Sequence, residues 1–167
     1  MRLALLVDFG AVSRGPVSYR WDVDTNILIA EFATPEAGPG MTGSVEIEGA
    51  DGSWIVLDVR NGSIASIEVA VWPDVKIVGG LLPPSDVDDG GVTVPARPSQ
   101  PAVAAVELNT RVTAEADPAE RTVHFRFGAP RPSRPVRAAN DILLDLDATR
   151  QIAGIWMLNV PPFPGES

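Results

Sequence analysis

Two aspartates at equivalent positions of a repeated pattern are the residues best suited to acid–base chemistry. Asp58 opens the stretch DVRNGSIASIEV, and Asp145 opens DLDATRQIAGIWM. If the two copies pack around a pseudo-twofold axis, these carboxylates approach each other, and paired carboxylates can separate their pKa values and act as acid and base. Trp54 and Trp72 are then candidate apolar walls of the cleft between the copies. The simpler interpretation is that each Asp accepts hydrogen bonds from the turn that follows it.

Three arginines form a second candidate site, for binding a partner. Arg131, Arg134 and Arg137 are three residues apart in GAPRPSRPVRA, residues 128–138. A polyproline II helix has three residues per turn, so this spacing predicts three guanidinium groups along one side. Such a ridge suits a carboxylate- or phosphate-bearing partner, or an aromatic groove that takes proline-rich ligands. The alternative is a stiff, soluble loop.

The chain offers few ligands for a metal centre. His124 is the one histidine and there is no cysteine, so neither a metal centre nor a serine triad has enough members. The alternation of Val123, Phe125 and Phe127 places His124 on the polar face of its strand, and we expect it to be exposed to solvent. The sequence therefore predicts no metal and no cofactor.

Two acidic stretches have simpler interpretations than ion binding. DVDTN at 22–26 has the spacing of a calcium loop, but Ile27 and Ala33 stand where that loop needs Gly and Glu. A hairpin turn also favours Asp and Asn. The stretch DVDDGG at 86–91 is typical of a solvated linker.

These residues lie on elements that read as β-strands. Leu3–Phe9 and Val103–Leu108 are strand candidates, and residues 19–32 and 112–127 each predict a hairpin with a polar turn. Loops are expected at 33–43 and 128–138. Because proline and glycine are spread through the chain, no helix is predicted.

The repeat divides the chain into two β lobes, 1–74 and 101–167. Residues 75–100 form a Pro-, Gly- and Asp-rich connector, with a short strand near Val92–Val94. Where the first lobe has Glu68 and Ala70 on one strand face, the second has Trp156 and Leu158. A Trp beside a Leu is unusual on the free surface of a monomer, so we expect the other lobe, the connector or a second chain to cover them.

The repeated pattern resembles a family of very short bacterial proteins of unknown function. The resemblance rests on Trp21-Asp22, on Val56-Leu57-Asp58-Val59 and on Ile64-Ala65-Ser66-Ile67-Glu68-Val69. The second copy matches through Leu144-Asp145-Leu146-Asp147 and Ile152-Ala153-Gly154-Ile155. Trp21 stands where the family has Tyr, and the second copy lacks the Tyr-Asp start. The resemblance implies a small antiparallel fold and no known activity.

Composition narrows the classes of partner. The formal net charge is −9, from 22 acidic and 13 basic residues, and an acidic surface repels nucleic acid. The N-terminal apolar run is too short for a signal peptide, and no stretch reaches the roughly 20 apolar residues of a membrane span. We therefore expect a soluble, cytoplasmic protein that binds neither nucleic acid nor membrane, and the resemblance implies that it is bacterial.

The sequence thus predicts an all-β fold in which two tandem antiparallel lobes form one pseudo-twofold sandwich or barrel-like body. One function compatible with it is a non-enzymatic interaction protein, such as an accessory, immunity or antitoxin-like factor, whose acidic surface engages a basic partner or a second copy. Arg131, Arg134, Arg137, Trp156 and Leu158 are its candidate contacts. The alternative is a small-molecule-binding protein or carboxylate-based enzyme that uses an interlobe cleft.

Overall fold

The chain forms β-strands throughout the residues that the structure, a computed structural model, describes. These are residues 6–8, 15–33, 40–89, 91–95 and 103–164. Within these ranges there are fifteen strands and no helix, and hence no helix that could cross a membrane. The all-β class predicted from the sequence is confirmed.

Two sheets account for thirteen of the strands. The first sheet has six, in the spatial order β10 (Val103–Thr110), β4 (Thr42–Gly49), β5 (Trp54–Arg60), β6 (Ser63–Val71), β3 (Ile27–Phe32) and β2 (Val17–Asp22). The second has seven, in the order β7 (Val75–Ile77), β11 (Val112–Ala116), β12 (Val123–Phe127), β15 (Ile152–Met157), β14 (Ile142–Asp147), β13 (Ser133–Ala139) and β8 (Asp88–Asp89). The two remaining strands, β1 (Leu6–Asp8) and β9 (Gly91–Thr93), pair with each other. The sheets form a sandwich and are not closed into a barrel.

Each sheet contains the same five-strand arrangement. The order β4-β5-β6-β3-β2 in the first sheet corresponds to β13-β14-β15-β12-β11 in the second, with antiparallel neighbours throughout. The register shifts by one residue after Asp58 of β5 and after Asp145 of β14, because the partner strands β6 and β15 are bulged at Ala65 and Ala153. Asp58 and Asp145 are therefore equivalent positions of the two sheets. Descent of the halves from one duplicated sequence stays a prediction.

The core lies between the sheets and follows the period-2 alternation of the strands. It is built from aliphatic residues and the phenylalanines of β12, with fully buried members on central strands of both sheets: Leu57, Ile67, Leu28, Phe125, Leu144 and Ile155. The opposite face of each sheet points away from this core.

Three edge strands pair with strands from a different predicted segment of the chain. β10 belongs to residues 101–167 but forms the edge of the first sheet, parallel to β4. Strands β7 and β8 belong to the connector but form the two edges of the second sheet. The halves are joined by exchanged edge strands as well as by their packed faces.

Most local predictions are confirmed, and one is wrong. Both hairpins form, and the short strand predicted near Val92–Val94 is β9. The candidate Leu3–Phe9 is described only at β1, and residues 34–39 of the first loop lie outside the described residues. The loop predicted at 128–138 is wrong from Ser133, where β13 begins. Proline has no N–H to donate to a neighbouring strand. The ladder between β13 and β8 covers only Val136 and Arg137, so Pro135 lies outside it and is tolerated in β13.

Candidate functional site

A row of side chains crosses the outer face of the second sheet. His124 on β12 lies opposite Trp156 on β15, which lies opposite Leu143 on β14. Their neighbours in sequence point into the core, so these three point away from it. All three are nevertheless buried. The outer face of this sheet is thus covered near its centre.

His124 is hydrogen-bonded to Asp145 within this covered region. Its Nε2 lies 2.7 Å from Asp145 Oδ2, and both side chains are about nine-tenths buried. An ionised carboxylate only accepts hydrogen bonds, so Nε2 is the donor. Burying a carboxylate without a partner is costly, and His124 supplies the partner.

Gly154 makes room for this bond. Its register neighbours are Arg126 on one side and Asp145 on the other, and His124 reaches Asp145 by leaning over it. A Cβ built on Gly154 would lie 2.6 Å from Asp145 Oδ2 and 2.5 Å from the Phe125 carbonyl oxygen. No larger residue fits without moving the pair or the backbone.

Trp156 stacks on the His124 imidazole and fixes the orientation of its ring. The two rings are stacked with centroids 3.8 Å apart and planes 9° apart. The Nδ1 atom of His124 is buried and has no hydrogen-bond partner among the described residues. The ring is therefore oriented by stacking on one side and by a single hydrogen bond at Nε2.

A cavity of about 360 Å³ opens beside the pair. Its polar lining comes from His124, Asp145, Arg126, Arg131 and Ser133, and its remaining wall from residues 127–130 and Ala153. The described residues give the Asp145 carboxylate no hydrogen bond other than that with His124. Its second oxygen, Oδ1, is thus left to accept a hydrogen bond from the cavity.

Arg131 fixes the loop that forms one wall of this cavity. Its guanidinium donates to the carbonyl oxygens of Phe127, Ala129 and Ile152, and it pairs with Asp147 at 3.0 Å. This arginine holds the loop to the end of the sheet and leaves little of its guanidinium for a ligand.

Asp147, rather than Asp145, stabilises the turn after β14. Burial acts to raise the pKa of Asp147. Hydrogen bonds from the Gln151 N–H, the Thr149 hydroxyl, Arg131 and the Thr149 N–H outweigh burial and hold this pKa below its ordinary value. The predicted turn interaction is therefore made two residues further along the chain, which leaves Asp145 for His124.

The path of residues 78–87 between two edge strands bears on the cover over the outer face. Strands β7 and β8 lie at opposite edges of the second sheet, roughly 29 Å apart for six strand spacings. The eleven steps from Ile77 to Asp88 span at most roughly 40 Å. Because the inner face is filled by the core, we infer that residues 78–87 cross the outer face and shield Trp156 and Leu143.

The structure separates the other predicted cleft residues from this site. Asp58 lies on the outer face of the first sheet, 3.6 Å from Arg60, so the two aspartates do not meet in an interlobe cleft. Trp54 is exposed on the same face. Trp72 stacks on Trp21 and packs against the core, with its Nε1 donating to the Asn26 carbonyl oxygen.

The arginines do not form the predicted ridge. Arg134 lies opposite the core residue Leu146, whereas Arg137 lies opposite Leu143 of the outer face, so the two project to opposite sides of β13. Arg134 pairs with Asp88 at 3.1 Å, and Arg137 lies 3.5 Å from Asp89. A role for these arginines in binding a partner stays a prediction.

The cover expected over Trp156 and Leu158 is present within the chain. Trp156 is buried, and Leu158 is half-buried, donating its N–H to the Asp141 carbonyl oxygen and accepting from Tyr19. Their contact with a partner chain also stays a prediction.

The prediction that His124 is exposed is wrong. Alternation placed it correctly on the face opposite the core, but that face is covered near its centre in the second sheet. The signal lay in the repeat itself, where Ser66 and Glu68 of the first copy become Gly154 and Trp156. Small and apolar replacements on a supposedly polar face indicate that this face is covered.

Carboxylates of both acidic stretches are engaged by other groups of the chain. Asp22 Oδ1 accepts from the Asp24 N–H in a hairpin turn, and Asp88 and Asp89 pair with arginines. No group of three or more acidic or histidine side chains able to hold a metal occurs in the part of the chain that the structure describes.

Comparison with known proteins adds no family. The sequence matches no protein-family model and has no significant match among curated proteins. Function is therefore inferred from the site alone.

Proposed function

We propose that this chain is a small-ligand-binding protein whose site is the cavity beside His124 and Asp145. One observation carries the proposal: Asp145, whose largely buried carboxylate is bound by His124 through one oxygen only, lines a cavity. A ligand that donates a hydrogen bond to Oδ1 gives this carboxylate a second partner. Hydrogen bonding offsets the free-energy cost of burying a polar group, so such binding is favourable.

The lining of the cavity supports the same function. Phe127, Ala129, Pro130 and Ala153 contribute apolar surface, while a few polar groups converge on one end. Small-molecule sites combine apolar walls with a small number of placed polar groups in this way. Stacking on Trp156 and the Arg131-anchored loop keep these groups in position before a ligand arrives, which lowers the entropic cost of binding.

The single histidine makes this proposal directly testable. Imidazole NMR signals of the protein belong to His124 alone, so a ligand screen can be read at the site itself. We expect a ligand that binds the cavity to move these signals, and Asp145→Asn to weaken its binding at least tenfold. Asp58→Asn, at the equivalent position of the first sheet, is the matched control and should leave binding unchanged. Equal loss in both variants, or ligands that bind without moving the signals, would overturn the proposal.

A second candidate function is interaction with a basic protein through the first sheet. Among the side chains that the structure describes, its outer face presents the carboxylates of Glu31, Glu46, Glu48, Asp58 and Glu68. Arg20 and Arg60 offset them only in part. Trp54 and Val71 are cross-strand neighbours on this face and are 39% and 46% exposed. An exposed aromatic residue within an acidic surface suits a partner that is basic with an apolar centre.

Native mass spectrometry of the protein isolated gently from its source cells tests this second function. We expect a basic protein to be bound stoichiometrically, and to be lost on Glu46→Lys/Glu68→Lys substitution. Glu120→Lys, in the exposed turn of the second hairpin, is the charge control. Retention of the partner by the double variant would exclude this face as the interface.

A further inference from the structure

Charges of both signs flank the floor of the cavity. Arg126 and Asp145 are the two register neighbours of Gly154, one on each adjacent strand and both on the outer face. Their Cα atoms are therefore separated by two strand spacings, roughly 9–10 Å. The space over Gly154 itself is taken by the His124–Asp145 pair, and both Arg126 and Asp145 line the cavity beside it, together with Ala153.

Both groups keep hydrogen-bonding capacity toward the cavity. Arg126 pairs through Nη1 with Glu115 at 3.0 Å, and its side chain is half exposed. No bond from its other guanidinium nitrogens to a described residue is present. Asp145 uses Oδ2 for His124 and keeps Oδ1. Arg131, in contrast, is occupied by three carbonyl oxygens and Asp147.

Electrostatic balance selects among ligands. A simple anion that approached Arg126 would also approach Asp145, and a simple cation would meet Arg126 and Arg131. A ligand of one sign is therefore opposed by part of the lining, whereas a ligand with both signs is attracted at each end.

We propose that the cavity binds a small zwitterion, with an ammonium group on Asp145 Oδ1 and a carboxylate on Arg126. Ser133, which lines the same cavity, is a further hydrogen-bonding group for the ligand. This inference rests on the proposed small-ligand function and names its ligand class. The volume of about 360 Å³ is sufficient for an amino acid or an ω-amino acid.

The test uses 4-aminobutyrate as the probe, with butylamine and butyrate as analogues that each lack one charge. Binding is followed by titration of the His124 imidazole signals of the full chain. We expect 4-aminobutyrate to bind at least tenfold more tightly than either analogue. Glycine, β-alanine and 6-aminohexanoate extend the series, and affinity should depend on the separation of the two charges.

Two variants assign the ends of the ligand. Arg126→Gln, a half-exposed position whose substitution should not affect folding, should lower affinity for 4-aminobutyrate about tenfold or more and leave that for butylamine nearly unchanged. Asp145→Asn should lower the affinity for butylamine and leave the affinity for butyrate nearly unchanged. Butylamine or butyrate binding as tightly as every amino acid of the series would overturn the inference, as would an unchanged affinity in Arg126→Gln.

The outcomes separate this inference from the function beneath it. If no zwitterion moves the His124 signals but another compound does so in an Asp145-dependent way, the ligand class is wrong and the cavity remains a binding site. If no compound of any class moves these signals, both proposals fail.

Discussion

Asp58 and Asp145 occupy equivalent positions of two bulged strand pairs, one in each sheet. Asp58 is half-exposed beside Arg60, whereas Asp145 is buried against His124. The difference follows from their neighbours rather than from the aspartates. Ser66 faces Asp58 across the ladder, whereas Gly154 faces Asp145 and leaves space for an imidazole. One repeated scaffold thus carries a solvated carboxylate in one sheet and a candidate site in the other.

Gly154→Ala should destabilise the protein by about 2–3 kcal/mol, because its Cβ would overlap the Phe125 carbonyl oxygen and Asp145 Oδ2. Urea denaturation measures the change. Gly79→Ala is the control, since nothing lies within 4 Å of the added Cβ, and its effect should stay within about 0.5 kcal/mol. Equal stability of the two variants would contradict the close packing described here.

The His124–Asp145 pair should show strong coupling in a double-mutant cycle. Removing either partner alone leaves a buried polar group unsatisfied, so His124→Phe and Asp145→Leu should each cost about 3 kcal/mol. The double variant should cost less than the sum by about 2 kcal/mol, because neither orphan remains. The half-exposed Glu115–Arg126 pair serves as the comparison, with a coupling of about 1 kcal/mol or less. Additive losses at His124 and Asp145 would refute the pairing.

The turn aspartate Asp147 should contribute to acid sensitivity. Its pKa is lowered in the folded protein, so it stabilises the fold at pH values above its unfolded pKa, and this contribution is lost as the pH falls through the folded pKa. Asp147→Asn should therefore be less stable than the original protein near neutral pH, by about 1–2 kcal/mol. The difference should shrink in strong acid. A difference that is the same at pH 7 and pH 2 would exclude the carboxylate charge as its cause.

Tyr19, the chain's one tyrosine, ties the first sheet to the segment after β15. Its hydroxyl donates to the Leu158 carbonyl oxygen at 2.8 Å, and burial and the nearby Asp141 raise its pKa above the ordinary value. A raised pKa stabilises the fold below the unfolded pKa of about 10, and this contribution is lost at higher pH. Absorbance titration should show ionisation delayed beyond that of free tyrosine. Normal titration of Tyr19 in the folded protein would contradict its burial.

Tyr19→Phe isolates the same hydrogen bond by stability. We expect a loss of about 1 kcal/mol in urea denaturation below pH 9. Above the unfolded tyrosine pKa the two proteins should differ less, because the original protein then loses the contribution of its hydroxyl.

Much of the fold could be predicted from residue patterns, because alternation and turn residues act locally. The two hairpins and the Asp-ended strands depend only on neighbours in sequence, and they form as expected. The strand Ser133–Ala139 could not be predicted locally because it contains Pro135. Proline is compatible with this strand because the ladder to β8 does not reach it, and that pairing is a tertiary property. The sequence could not show that β7 and β8 take opposite edges of one sheet.

The candidate site was only partly predictable for the same reason. Asp145 and Trp156 were singled out from the repeat, but His124 was placed in solvent. Its burial depends on tertiary packing over the outer face, which alternation within one strand does not show. The Asp145 partner also depends on Gly154, whose role is visible only once the register of β12, β15 and β14 is known.

The exchanged edge strand β10 bears on how the molecule is completed during synthesis. Hairpins of the first sheet can pair soon after they emerge from the ribosome, but this sheet lacks one edge until residues 103–110 follow. Its apolar face lacks a cover until β15, near the end of the chain, enters the centre of the second sheet. Long-range pairing of this kind slows folding and leaves a nascent chain with exposed apolar surface. The second sheet that packs on the first is thus complete only when its central strand, the last in the chain order, is in place.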